Sequence, residues 1–111
     1  GGYLSSIEDL AGFAAGLLEH KLVQPATAKQ MWTAQKTATG EPTRYGLGFS
    51  ISKQPGVGLV VMHTGAQEKT RTAMILHPEK RRGLVFMTNS EYVEPGPLAA
   101  AVLEAVWPTK R

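Results

Sequence analysis

Three histidines, His20, His63 and His77, are the side chains whose charge changes closest to neutral pH. They stand far apart, without the spacing of metal ligands, and the chain has no cysteine. Disulfides and thiolate metal sites are therefore excluded, and no metal or other cofactor is expected. His63 closes an apolar run and opens the triplet His63-Thr64-Gly65. An imidazole there could hold a substrate carboxylate or help move a proton. It could instead be a structural histidine tying a strand end to a loop, and the residues alone leave both readings open. His77, just before Pro78, reads as a turn residue. Glu8 and Asp9 are explained by helix capping and Glu68 by an exposed turn; Glu91 is a further carboxylate. Trp32 and Trp107 read as core anchors. Arg71 could face a cleft or solvent.

These residues need elements to hold them. Ser6, with Asp9 three residues on, can cap a helix whose apolar stripe is Ile7, Leu10, Ala11, Ala14, Leu17 and Leu18; Ser5 with Glu8 is the alternative box. His20 and Lys21 fall where a helix C-terminus favours cations. Gln24-Pro25 opens a second, shorter helix, with Met31 and Trp32 near its end. After a loop over 37–43 the period changes to two. Tyr45, Leu47, Phe49 and Ile51 alternate with small residues and predict a strand. Further strands are expected over Val57–His63, Thr70–Leu76 and Leu84–Thr88. The last three are apolar on both faces, which predicts a sheet covered on both sides by helices, with antiparallel neighbours because the connections are short. Leu98, Val102, Leu103 and Val106 form a final amphipathic helix stopped by Pro108. The expected class is α+β: helix, helix, four strands, helix.

The bulk numbers narrow the function classes. The 111 residues are 42% hydrophobic and 19% charged, ordinary for a globular domain. A net charge of +3, scattered along the chain, does not point to nucleic acid. No apolar run approaches the roughly 18 residues of a membrane span. The chain starts Gly1-Gly2-Tyr3-Leu4, without Met or a signal peptide, and is expected to be a piece of a longer protein, with residues 1–111 forming part of one larger domain.

Four stretches, in order, resemble the C-terminal region of the serine β-lactamase and penicillin-binding-protein-like hydrolases, a family of β-lactamases, DD-peptidases and esterases. Gly1 to Leu10 is similar to the family's helix start. Tyr45-Gly46-Leu47-Gly48-Phe49 is similar to its "YGLGW" strand. His63-Thr64-Gly65 is similar to its third active-site motif, Lys-Thr-Gly in many members. Gly83 to Asn89 is similar to its closing strand, which commonly ends in Thr-Asn. The chain departs from the family at Ala66 and Lys69, where Gly is common.

The resemblance implies acyl-enzyme hydrolysis of a β-lactam, a D-amino-acid peptide or an ester. His63 would stand in place of the family's Lys, the backbone N–H of Ala66 would be an oxyanion donor, and Thr64 and Gly65 would line the substrate. A Cβ at Gly65 would obstruct substrate approaching the strand edge. The catalytic Ser and Lys of a Ser-x-x-Lys motif, and a Tyr, would lie upstream. This chain is read as carrying neither motif, so that it supplies one wall of the site, is inactive alone, and has the N-terminal part of the same protein as its partner. Periplasmic or secreted location is usual for the bacterial family. The alternative is a non-catalytic binding module that kept the fold.

Overall fold

The structure, a computed structural model, describes residues 2–108. Helix α1 spans Ile7–Leu18. Ser6 caps it, its Oγ accepting from the Asp9 N–H at 3.1 Å, and Glu8 and Asp9 place negative charge at the positive end of the helix dipole. Gly1, the first residue of the expected motif, lies outside the described residues. The helix ends in a Schellman turn. His20 takes the left-handed position (φ 56°) and donates to the Leu17 carbonyl, while Lys21 donates to the Gly16 carbonyl. Helix α2, Pro25–Met31, has proline in its first turn and turns at Trp32, which is buried.

Four strands follow: β1 Ser50–Gln54, β2 Gly58–Gln67, β3 Thr70–His77 and β4 Arg82–Thr88. They form one antiparallel sheet in the order β1-β2-β3-β4. Helix α3, Pro95–Val106, closes the order. Alternation along the strands builds two cores. Val61, Met74 and Leu76 face α1 and α2, where Leu17, Ala28, Trp32 and Phe49 meet them. Val60, Ala73 and Ile75 face α3, against Ala99 and Leu103. The sheet is thus the middle layer of three, as the two-sided apolar strands predict. Leu17, Val61 and Leu76 are fully buried and each stabilises the fold by about 1.5–3 kcal/mol.

Two strand boundaries, and the buried face of the last helix, differ from the sequence reading. The alternation at Tyr45–Ile51 is not one strand. Gly48 has φ +87°, the Gly46 N–H donates back to the Phe49 carbonyl, and Tyr45 pairs with Ser50, so the chain turns a corner and β1 starts at Ser50. Strand β2 does not stop at His63. It runs on to Gln67, because Thr64, Gly65 and Ala66 pair with Ala73, Thr72 and Arg71. The final helix turns Ala99 and Leu103 inward, leaving Leu98, Val102 and Val106 exposed.

Candidate active site

The four residues of the expected site lie consecutively on β2. His63, Thr64 and Ala66 are exposed and Gly65 is half-buried. Side chains alternate, so His63 and Gly65 stand on the α1–α2 face and Thr64 and Ala66 on the α3 face. What they share is an edge. β1 pairs with β2 from Gly58 to Met62 and no further. Among the described residues nothing pairs with His63–Gln67 on that side, while β3 covers the other side throughout.

The direction of the backbone groups follows from parity. The Met62 carbonyl points toward β1, where it accepts from Ser50 Oγ at 3.0 Å. The Ile51 N–H turns the other way, to the Arg44 carbonyl, as alternation along β1 requires. Two and four residues beyond Met62, the amides of Thr64 and Ala66 therefore point out of the open edge. Gly65 also has a use within the sheet itself. A Cβ on it would run into Thr72 Oγ1, its cross-strand neighbour, so the glycine relieves crowding on the sheet face.

His63 is held from the other side of the edge. Its Nδ1 lies 2.7 Å from the Gly48 carbonyl oxygen and 3.3 Å from the Tyr45 hydroxyl, and Phe49 meets the ring edge-on at 6.5 Å between centroids. The loop tie expected of a structural histidine is thus present, made through one nitrogen only.

The other candidates find ordinary partners. Arg71 Nη1 donates to the carbonyls of Gln67 and Thr70, locking the β2–β3 turn. Glu91 Oε2 accepts from the Lys69 N–H of the same turn. Trp107 lies under the Arg82 guanidinium at 5.2 Å. His77 ends β3 and leads into the turn at Pro78–Lys80, as expected, but it is buried, 5% exposed, with Nδ1 unpartnered among the described residues. Burial, and then the nearby Arg82 charge, push its pKa below the ordinary 6.5. It lines a groove of about 420 Å³ between the sheet and α3, floored by Val60, Met62, Ile75 and Leu103, to which none of the four β2 candidates contributes. No cluster of His, Asp or Glu suited to a metal occurs among the described residues, nor any helix long and apolar enough to cross a membrane.

The spacing Ser-x-x-Lys does occur, at Ser50-Ile51-Ser52-Lys53, contrary to the reading of the chain as free of it. These four residues lie on β1. On a strand, residues three apart project to opposite faces and are separated by about 10 Å, whereas a helix would bring them together. Ser50 Oγ is engaged with the Met62 carbonyl and Lys53 is exposed. The pair has the spacing of a nucleophile motif without the geometry for proton transfer.

The chain is similar to known proteins. Penicillin-binding protein 4* of Bacillus subtilis (strain 168) is 27% identical over 87 residues, covering 78% of this chain and 19% of that protein. The octameric penicillin-binding protein homologue of Pyrococcus abyssi superposes with a TM-score of 0.77 at 26% identity, covering 92% of this chain and 24% of that one. The chain thus spans about a fifth to a quarter of the length of these relatives. The Beta-lactamase family profile matches residues 1–106, and the chain belongs to the beta-lactamase family.

Proposed function

We propose that this chain is the C-terminal part of a serine hydrolase domain and supplies one wall of its active site, the His63–Ala66 segment of β2. The observation that carries the reading is the half-covered strand. β1 stops pairing at Met62, and the next outward-pointing amides belong to Thr64 and Ala66. A backbone N–H fixed by a sheet is a good oxyanion donor, because it need not reorganise when charge develops on a carbonyl oxygen. Ala66 N–H takes that role. Thr64 offers a hydroxyl and a backbone amide to an extended substrate laid along the edge, and His63 is the next residue along that edge, its side chain on the opposite face of the sheet. The substrate is an acyl compound: a β-lactam, a D-amino-acid peptide or an ester.

The nucleophile and its base come from an upstream part of the same protein, since Ser50 and Lys53 cannot meet on β1. The free outer edge of β4, the sheet's other border among the described residues, is where that part adds strands. By the same reasoning the 111-residue chain is inactive by itself.

The test is covalent. The full-length protein, incubated with a penicillin or a fluorophosphonate probe, should gain one adduct on a serine outside this chain, found by peptide mass spectrometry. The isolated chain should gain none and should not hydrolyse a chromogenic β-lactam or a p-nitrophenyl ester above background. A stoichiometric adduct on a serine of this chain overturns the reading. A folded full-length protein that takes up substrate reversibly and is never acylated is a binding module instead.

A further inference from the structure

The segment Tyr45–Phe49 is built more tightly than a loop at a sheet border requires. Leu47 N–H donates to the Met31 carbonyl at the end of α2 (2.9 Å), Gly46 N–H to the Phe49 carbonyl (2.8 Å), and Gln35 N–H to the Tyr45 carbonyl (2.9 Å). Any Cβ on Gly46 would collide with the Met31 backbone oxygen. Gly48 adopts φ +87°, and Phe49 is buried in the α1–α2 core. The residues on both sides of Gly48 are therefore anchored, and its carbonyl oxygen lies 2.7 Å from His63 Nδ1.

A carbonyl oxygen only accepts hydrogen bonds, so at this distance Nδ1 must carry the proton. The Tyr45 hydroxyl, 3.3 Å from the same nitrogen, adds a second, longer contact to it. We propose that the Tyr45–Phe49 corner is a positioning device that fixes His63 in its Nδ1–H tautomer and so presents a lone pair on Nε2 to the open edge of β2. This rests on the reading that His63 borders the substrate. It also sharpens it: a neutral imidazole held this way accepts a proton or a hydroxyl hydrogen bond at Nε2, which the ammonium of a lysine cannot do. Tyr45 and Gly48 are positioning residues, acting on substrate only through the ring of His63.

Two readouts separate the device from the function. In full-length protein labelled with 15N-histidine, at a pH where the rings are neutral, long-range proton–nitrogen spectra report the tautomer of each histidine; loss of one set of peaks in His63→Gln assigns His63. The expected result is Nδ1–H in the wild type and a mixture of tautomers in Gly48→Ala, whose corner is distorted. An Nε2–H tautomer in the wild type overturns the proposal. The second readout is turnover. Asn places a donor near the Nδ1 position and nothing near Nε2; Gln does the reverse. His63→Asn should keep the wild-type melting temperature and lose turnover by roughly 100-fold, within the range of assisted proton transfer. His63→Gln should melt lower but turn over faster per folded molecule than His63→Asn. Equal turnover in both variants overturns the assignment of Nε2. An Nδ1–H tautomer combined with wild-type turnover in both leaves the device standing and removes His63 from the site.

Discussion

His77 is the buried histidine, and its titration acts on folding. Its pKa in the fold is pushed below 6.5 by burial and by Arg82, while the unfolded chain binds a proton near the ordinary value. Across that window the unfolded state holds more protons, so stability rises with pH there. It is fully present above about pH 6.5 and is lost as pH falls through the lowered folded value. Denaturant midpoints at pH 8, 6.5 and 5 should decline in the wild type and flatten in His77→Leu. At the open edge, His63→Ala should lower turnover of the full-length protein by about 10- to 1000-fold, whereas Ala66→Gly should change it little because the backbone N–H survives. Gly65→Val should be as harmful as His63→Ala or worse. The crowding against Thr72 gives a further arm: Gly65→Ala should destabilise, and adding Thr72→Ala should restore the melting temperature. Turnover that stays low in the double variant means substrate occupies the space above Gly65; turnover that recovers means the glycine serves only the sheet.

Among the elements, those with a strong period or a cap were legible in the sequence. The Ser6 cap of α1, the proline start of α2, the two-faced strands and their antiparallel order all appear in the structure. The misread segments share a cause: period-two alternation describes side-chain direction and says nothing about where the backbone turns. Tyr45–Ile51 alternates in sequence yet bends at Gly48, where φ is positive. Likewise, apolarity ended at Met62 and the strand did not, because Thr64–Gln67 is paired to β3 although all of it but the half-buried Gly65 is exposed. The sequence motif singles out the four candidate residues, but the open edge they share is not legible in it, since that depends on where β1 stops. The turn after β2 gives a reason for glycine, rather than lysine, to stand at position 69. Its φ of +61° is a position where glycine fits without strain. Lys69→Gly should raise stability by about 0.5–1 kcal/mol, the left-handed strain relieved less the entropy cost of glycine. Gly48→Ala, also at positive φ, should cost about 1–2 kcal/mol. Equilibrium urea unfolding measures both.

At the scale of the whole molecule, two surfaces are poorly suited to water. β4 is a sheet border with a free outer edge among the described residues, and Leu98, Val102 and Val106 form an apolar stripe on α3, exposed by 39%, 39% and 57%. In the reading proposed above, the remainder of the domain covers both. Prepared alone, the 111-residue chain should self-associate, with sedimentation showing dimers or larger species, and Val102→Lys should shift the distribution toward monomer. A monomer of high thermal stability would count for an autonomous module.

The partial pairing of β2 also has a signature in time. Amides of Val60 and Met62 are locked into β1, and those of Val61, His63 and Gly65 into β3, so all should exchange slowly with deuterated water. Thr64 and Ala66 have no such partner among the described residues. Their hydrogens should wash out orders of magnitude sooner, giving a comb of alternating fast and slow positions that starts abruptly after Met62. A ligand lying along the edge would slow just those two teeth, and hydrogen exchange would then locate an unidentified substrate on the strand before its chemistry is known.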